Sequence, residues 1–403
     1  MAAATVIVSM AGAQTAPPIS LSLADSLKRA ESQSLTLQQA KAKLAGADAK
    51  LKSAGSLSNP VASVAHGAGQ NTGGLDEDIL ITQTFELGDK RRQKVREARA
   101  ESQATAAEAA GTRVEMVYNV QTAYFEAARA VAERKLTADS LTDAQSLLRI
   151  AQTQFQAGDV PRSNVVRSQI ELSRAEQALS AADAELDVRL STLKSLLGID
   201  ASTPLTLSDV ATFVKSDLNL EGLRSLALRQ RPDIQSAQST LKAREAGKHG
   251  ARAQSQPDLF VEARHSTIDP SVGGNSVRVG VLVPLWDLGK NRADSAAADA
   301  AVKEQKASLA ETTRLALLDV DTSYKNLEQA RKQVEAFQTD RLDRSRELLG
   351  MARTGYSRGA NTLLELLDAQ QVYRTEQTEY ARALAAWTIA RAALQRAVGG
   401  KLP

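Results

Sequence analysis

Two acidic side chains near the carboxyl end of the chain are spaced so that they could act together on a solute. Glu365 and Asp368 are three residues apart, so on a helix they would lie on the same face. Clustered carboxylates attract cations and raise one another's pKa. The spacing predicts an acidic site for cations; the alternative is a solvated helix face without a function of its own.

Histidines are the other candidate cation ligands, because neutral imidazole binds transition metals. His66 and His265 lie at near-equivalent places of an internal duplication, whereas His249 lies in a basic stretch. None of the three has a carboxylate or cysteine at ligand spacing, so we interpret them as ordinary polar residues. We predict no metal site and no cofactor, and transient cation binding by His66 and His265 stays open.

The sequence lacks the motifs of the common enzyme classes. There is no cysteine, no G-x-S-x-G nucleophile motif and no glycine-rich phosphate loop followed by lysine. The 50 basic and 47 acidic residues leave a formal charge of +3, which is too small and too evenly spread for nucleic-acid binding. We therefore predict neither an enzyme nor a nucleic-acid partner.

The first residues indicate export from the cytoplasm. Residues 5–10 supply an apolar run, and residues 11–13 (AGA) fit an A-x-A cleavage site. We interpret residues 1–19 as a signal-peptide remnant and linker; the missing basic region favours an upstream start, and an alanine-rich tail is the alternative. No stretch of about 18 apolar residues occurs, so no transmembrane helix is predicted.

The chain repeats itself at an interval of about two hundred residues. Three motifs recur in the same order: residues 85–90 (FELGDK) as 286–291 (WDLGKN), 120–124 (VQTAY) as 320–324 (VDTSY), and 155–158 (FQAG) as 356–359 (YSRG). The duplication predicts a first repeat over 20–200, an equatorial inter-repeat segment over 201–217, and a second repeat over 218–400.

Each repeat is predicted to contain very long helices. Proline is absent between Pro60 and Pro161 and between Pro284 and Pro403, and proline costs about 3 kcal/mol inside a helix. About 65 residues of helix would extend roughly 100 Å, which suits a protein that spans the periplasm. The predicted helices are about 20–57, 89–157, 161–198, 218–254, 289–355 and 362–398.

A heptad pattern follows each of two short turns. Large residues recur at sevenfold spacing, with small residues three positions on: Val165, Leu172, Leu179, Leu186 and Leu193 with Ser168, Ala175 and Ala182, and in the copy Leu366, Tyr373, Tyr380, Trp387 and Leu394 with Ala369, Ala383, Ala390 and Ala397. This pattern predicts closely packed coiled-coil helices.

Alternating residues predict a β-hairpin before each long helix, at about 60–88 and 257–288. The run from Val277 to Leu285 has one apolar and one mixed face, as in a strand of a membrane barrel with a polar lumen. Four strands cannot close a barrel in lipid, where every backbone group must be paired. Three chains would supply twelve strands, so the strand count predicts a homotrimer.

Together these features resemble the TolC-type outer-membrane efflux protein family over about residues 20–400. The motifs that carry the resemblance are the two strand-to-helix junctions (85–91 and 284–289) and the tip at 355–359 followed by 364–369 (LELLDA). The junction at 86–91 and the tip at 158–162 (GDVPR) are most similar to the CzcC-like heavy-metal branch.

The resemblance implies a mainly α fold with a small β part: duplicated helix-hairpin-helix repeats form a trimeric α-barrel continuous with a 12-stranded transmembrane β-barrel. It implies an outer-membrane protein that extends into the periplasm and contacts outer-membrane lipid. The expected partners are a periplasmic adaptor protein and an inner-membrane pump of the resistance-nodulation-division type. The expected function is passive export of small solutes, heavy-metal cations above all.

The resemblance also implies a gate at the periplasmic hairpin tips. Glu365 and Asp368 match the acidic pair of the family entrance, and a trimer would contain six such carboxylates. Where many members have an arginine and an aspartate that lock the closed state, this chain has Asn361 and Asn164. We expect these residues, Tyr356, and either Arg167 or Arg358 to form the gate.

The exposed tips are the expected docking site of the adaptor, with the contacts Gly158, Val160, Gly359 and Leu363. Capping of the helices alone is the other interpretation of these residues. Three alternatives to a cation channel remain: a multidrug conduit, a type I secretion conduit, and a coiled-coil scaffold or adhesin. A scaffold explains the heptads but not the alternating strands.

Overall fold

The computed structural model describes residues 19–67, 76–209, 212–215, 217–266, 274–286 and 288–402. The proposed signal peptide therefore lies almost entirely outside the described residues. The chain divides into two compact units. One comprises the described parts of Met1–Leu35, Arg113–Ser225 and Asp319–Pro403, and the other comprises those of Thr36–Thr112 and Leu226–Leu318.

The elements of the first repeat are strand β1, helices α1 and α2, strands β2 and β3, and helices α3 and α4. Their bounds are Ile19–Leu21, Leu23–Gln33, Leu35–Gly55, Val61–Gly67, Asp76–Glu86, Lys90–Ala157 and Arg162–Leu197. Helix α3 is 68 residues long. No described helix is both long and apolar enough to cross a membrane.

The second repeat follows strand β4 (Leu205–Leu207). It contains helices α5 and α6, strands β5 and β6, helix α7, a π-helix, and helices α8 and α9. Their bounds are Leu220–Gln230, Pro232–Ala253, Asp258–Ser266, Asn275–Leu282, Lys290–Ala336, Phe337–Arg341, Leu342–Ser357 and Leu363–Val398.

Three predicted helices are interrupted. The helix expected over 20–57 is instead β1, α1 and α2, because Ser22 caps α1 and Ser34 has an extended backbone. The helix expected over 218–254 breaks at Arg231, whose ψ of 123° fits the steric limit on a residue before proline. The helix expected over 289–355 contains the π-helix.

Four antiparallel strands form one sheet in the order β2-β3-β5-β6, so hairpins from both repeats share it. The strand predicted to continue to Leu285 ends at Leu282, since Pro284 has no N–H for a ladder hydrogen bond. A second sheet, in the unit that includes Arg113–Ser225, is formed by β1, which pairs in parallel with β4. The sequence analysis missed this pair because each strand has only three residues.

The matched tyrosines of the duplication bind the backbone near the start of each repeat. The hydroxyl of Tyr124, which is fully buried, donates to the carbonyl of Leu21 at 3.2 Å and accepts from the backbone N–H of Asp209 at 3.2 Å. The hydroxyl of Tyr324 donates to the carbonyl of Leu218 at 3.3 Å. Equivalent tyrosines of the two copies therefore each bind the first residues of their own repeat.

The predicted coiled-coil seam is buried most deeply near the carboxyl ends of α4 and α9. Leu193 and Leu394 are fully buried, and Trp387 is 3% exposed. The small positions along the same seam include Ser168, Ala175, Ala369, Ala383 and Ala397, all of which are buried. Small residues let the helices approach closely, and the large neighbours fill the remaining space.

Candidate functional site

The first hairpin tip joins α3 to α4 through a Gly-Asp-Val-Pro turn. Gly158 has φ of 83°, and the N–H groups of Gly158 and Asp159 donate to the carbonyls of Phe155 and Gln154 at 3.0 and 2.9 Å. These are the bonds of a Schellman cap. At the other side of the turn Pro161 is the N-cap residue and provides no side-chain hydrogen bond.

The second hairpin tip joins α8 to α9 and has a stronger cap. Gly359 has φ of 73°, and the N–H of Ala360 donates to the carbonyl of Gly355 at 2.8 Å. The backbone N–H of Thr362 donates to Glu365 Oε2 at 2.7 Å, and the backbone N–H of Glu365 donates to Thr362 Oγ1 at 3.3 Å. This reciprocal pair is a capping box.

The capping box changes the interpretation of the acidic pair. Glu365 and Asp368 are both exposed on α9, as their spacing predicts. One oxygen of Glu365 accepts a hydrogen bond at the N-terminus of α9. This carboxylate therefore stabilises the tip whether or not a solute is bound. Among the described residues, Asp368 has no hydrogen-bond or ion-pair partner and is the freer of the two.

Tyr356 connects the two hairpins. Its hydroxyl donates to Gln154 Oε1 at 3.0 Å, which links the end of α8 to the end of α3. Burial raises the pKa of the phenol above its ordinary value of 10.0, so the hydroxyl keeps its proton at neutral pH. Tyr356 thus forms a neutral hydrogen bond between two tips that are about two hundred residues apart in the sequence. We call this hydrogen bond the latch.

Asn361 fits against a glycine in the second tip. A Cβ atom on Gly355 would come 2.5 Å from Asn361 Cγ, so any larger residue at position 355 would displace the asparagine. In the first hairpin the N–H of Asn164 donates to the carbonyl of Pro161 at 3.0 Å. The two asparagines are thus parts of their own turns, and the structure describes no bond between them.

Arg167 and Arg358 are both exposed, and neither has an ion-pair partner in the described part of the chain. The expected lock by either guanidinium is therefore not formed among the described residues.

One predicted adaptor contact is buried in the structure. Leu363 is 3% exposed and packs in an apolar cluster with Leu147, Leu349, Ala352, Leu366 and Ala369. The next residue, Leu364, is 59% exposed, because a shift of one residue turns a side chain by about 100° around the helix. Gly158 and Gly359 are exposed and Val160 is half-buried, so these three remain available to a partner.

Ion pairs between the two hairpins lie near the tips, and the sequence analysis missed them. Arg353 pairs with Asp143 at 2.9 Å, and Arg374 pairs with Glu171 at 2.8 Å. Their sequence separations of 210 and 203 residues are close to the repeat interval. The repeat interval could have indicated these ion pairs, since near-equivalent positions of the two copies lie close together.

His66 and His265 both lie on strands of the four-stranded sheet. His265 Nδ1 lies 2.7 Å from Asn275 Oδ1 in the neighbouring strand, and His66 pairs with Glu77 through the backbone. Among the described residues, no group of three or more His, Cys, Asp or Glu side chains could hold a metal ion.

The model of the outer membrane efflux protein family matches the chain twice, over residues 26–199 and 223–400. The chain belongs to this family. The resemblance recognised in the sequence is confirmed, as is the outer-membrane location that it implied. The two matched ranges also correspond to the internal duplication.

Curated relatives of this chain carry different functional names. Nodulation protein T of Rhizobium leguminosarum bv. trifolii is 25% identical over 91% of this chain and 83% of its own length. The pyoverdine export outer membrane protein OpmQ of Pseudomonas putida is 25% identical over 65% of this chain. The cation efflux system protein CusC of Escherichia coli O6:H1 is 26% identical over 77% of this chain and 72% of its own length. The chain spans only 57% of the length of OpmQ.

Solved outer-membrane proteins share this fold. The outer-membrane channel OprN superposes with a TM-score of 0.79 at 20% identity, over 94% of this chain and 90% of that structure. VceC of Vibrio cholerae superposes with a TM-score of 0.78 at 20% identity, over 94% of this chain and 96% of that structure.

Proposed function

We propose that this efflux protein is the outer-membrane channel of a three-part export system. It is a passive conduit that receives small solutes from an inner-membrane pump of the resistance-nodulation-division type through a periplasmic adaptor. The observation that carries the proposal is the four-stranded sheet, which joins hairpins from both repeats and exposes apolar side chains such as Ile81, Val277 and Val279 on one face. The family match and the long helices support the same conclusion.

The edges of the sheet support a homotrimer. Strands β2 and β6 each have one hydrogen-bonded neighbour among the described strands. Unpaired backbone groups cannot face lipid, so both edges need a partner. The β6 edge of one chain and the β2 edge of the next would pair, and three copies would close twelve strands into a barrel.

The exported solutes are heavy-metal cations in this proposal. The sequence similarity to the cation efflux protein CusC and the exposed Asp368 favour this class. OpmQ is named for pyoverdine export and nodulation protein T carries no cation in its name, so multidrug or type I secretion substrates are the alternative. A coiled-coil scaffold without a channel is disfavoured by the apolar sheet face, which has no use in a soluble rod.

The gate in this proposal is formed by the hairpin tips. The hydrogen bond from Tyr356 to Gln154 holds the two hairpins of one chain together, while Arg167 and Arg358 reach carboxylates of a neighbouring copy. The adaptor contacts Gly158, Val160, Gly359 and, in place of Leu363, the exposed Leu364. Loosening of these contacts when the adaptor docks would open the entrance.

Cross-linking of the sheet edges tests the trimer. The chain has no cysteine, so a pair introduced at Val64 on β2 and at Val277, Val279 or Val281 on β6 would be the only reactive thiols. Val64 and Val279 are 67% and 66% exposed. A short bismaleimide added to outer-membrane fractions should give a ladder that ends at the trimer.

The single variant Val64→Cys is the matched control and should give no ladder. Absence of cross-linked species with all three pairs, or a ladder that continues beyond three chains, would contradict the proposed assembly.

A further inference from the structure

The two faces of the sheet differ in character. Directly paired residues share a face, so the register places Thr82, Glu262 and Arg278 on one face, with Asp78, Arg264 and Asp258 at alternate positions of the same face. The other face contains Ile79, Ile81, Val261, Val277, Val279 and Val281. We call the first the polar face and the second the apolar face.

Each carboxylate that the structure describes on the polar face has a cationic partner. Arg264 Nε and Nη2 lie 2.8 and 2.9 Å from the two oxygens of Asp78, which is a bidentate pair across β3 and β5. Arg278 forms an ion pair with Glu262 across β5 and β6. Glu262 is 8% exposed, so its charge would be costly without the guanidinium beside it.

The pattern continues at the start of α3. Lys90, which is 4% exposed, places Nζ 2.9 Å from both oxygens of Asp258. Lys94 forms an ion pair with Glu86. Among the described side chains, each of the four carboxylates of the polar face therefore has a cation beside it.

The polar face becomes the wall of the lumen if the proposed function is correct. Membrane barrels direct apolar residues toward lipid and polar residues inward. Val277, Val279 and Val281 on the apolar face are between 53% and 72% exposed, as expected of side chains that contact lipid. Three copies would then repeat each ion pair three times around the pore.

We propose that Arg264 and Arg278 set the ion selectivity of the barrel by neutralising Asp78 and Glu262. Without these arginines each position would become a ring of three carboxylates, and acidic rings select cations. With the arginines in place the wall attracts neither sign strongly, so the barrel passes cationic and anionic solutes alike. Discrimination by charge is then left to the periplasmic tips and to the pump.

Reversal potentials in planar bilayers test this inference, which rests on the proposed channel. The ratio of K⁺ to Cl⁻ permeability is measured in a KCl gradient for the wild-type protein and three variants. Arg264→Gln leaves Asp78 unpaired and should raise the ratio about twofold or more. Asp78→Asn removes the negative charge beside Arg264 and should lower the ratio. The double variant removes both charges and should restore the wild-type ratio.

The opposite signs separate an effect of charge from a change in structure. Misfolding would not shift the permeability ratio in opposite directions in the two single variants and then restore it in the double variant. Arg264→Lys keeps the positive charge and should keep the wild-type ratio. Equal permeability ratios in the wild type and both single variants would overturn the inference while leaving the channel intact. Absence of current in every protein would instead contradict the proposed function.

Discussion

The two long hairpins arise from one duplicated sequence, yet they are built differently. Helix α3 of the first hairpin runs for 68 residues without a break, whereas its counterpart in the second is divided by the π-helix Phe337–Arg341. The first tip begins its second helix without a side-chain cap, and the second tip uses a capping box. Duplication therefore preserved the layout and left the local joints free to diverge.

A single added residue explains the π-helix. The tip glycine follows the matched tyrosine by 34 positions in the first copy (Tyr124 to Gly158) and by 35 in the second (Tyr324 to Gly359). A π-bulge absorbs one residue in a helix, so the helix regains its register afterwards. Both copies can then present the same faces at their tips despite unequal lengths.

Side chains around the π-helix hold it in place. Phe337 is 6% exposed and its ring lies 6.1 Å from that of Tyr380. The amide of Gln338 donates to the Tyr380 hydroxyl at 3.1 Å, and Arg341 pairs with Glu376 at 2.8 Å. All these partners are on α9, so the π-helix joins the two helices of the second hairpin.

The largest expected difference between the hairpins concerns single-residue deletions. Deletion of Thr339 should convert the π-helix to a regular helix and keep the register of α8. Deletion of Asp139 in α3 should turn every later side chain by about 100° and move Leu147 and Ala151 out of the core. We expect the second deletion to destabilise the protein by about 3 kcal/mol or more.

Thermal unfolding followed by circular dichroism measures both deletions, with Thr339→Ala and Asp139→Ala as controls for the lost side chains. Equal tolerance of the two deletions would show that the hairpins do not differ in this way.

The next largest effect separates two adjacent leucines of the second tip. Leu363→Ala removes a buried side chain and should lower the free energy of unfolding by about 2–5 kcal/mol. Leu364→Ala changes an exposed side chain and should alter it by less than about 0.5 kcal/mol, while weakening capture of the adaptor. Denaturant unfolding and a pull-down with purified adaptor measure the two effects; a stable Leu363→Ala variant would contradict the packing described.

Removal of a capping side chain should have a smaller effect on stability, and only at the second tip. Thr362→Ala removes the side-chain oxygen of the capping box and should destabilise the second tip by about 1 kcal/mol. Ser163→Ala, in the first turn of α4, removes a hydroxyl with no hydrogen bond among the described residues. Hydrogen exchange of the first turns of α4 and α9 should show faster exchange only for Thr362→Ala.

The smallest effect is expected at the latch. Tyr356→Phe removes the hydrogen bond to Gln154 and should weaken the contact between the tips by about 1 kcal/mol. Because the folded pKa of Tyr356 is raised, the latch contributes stability that is complete below about pH 10 and lost as the pH rises through the folded value.

Open probability as a function of pH measures the latch, and Tyr118→Phe is the control because the structure describes no hydrogen bond for that hydroxyl. We expect the Tyr356→Phe channel to open more often than the wild type at neutral pH. Its open probability should not rise further as the pH passes the folded pKa of Tyr356. Identical traces for the two variants would exclude Tyr356 from the gate.

Features with a long periodic signal were predictable from the sequence. The duplication, the long helices, the alternating strands and the positions of both tip glycines each depend on many residues. The strands β1 and β4 were not predictable, since three residues carry no usable period and their partner lies far away in sequence. The exposure of Leu363 and Leu364 depends on one residue of register, which heptad counting across a turn does not fix.

The parts of the site that were missed had a weaker signal. The change of offset from 200 to 201 between the matched motifs indicates an added residue, but not where the helix absorbs it. The ion pairs Arg353–Asp143 and Arg374–Glu171 require the packing of the two hairpins. The capping role of Glu365 was readable from Thr362 three positions earlier, and the interpretation as an acidic ring obscured it.

The measurement that bears most directly on the proposed channel is the current through a planar bilayer to which the protein, purified in detergent, is added. A sealed ring of three chains predicts stepwise insertion of a water-filled pore from a species with three times the mass of the chain. A monomer that stays soluble without detergent and never conducts ions would contradict the proposed channel.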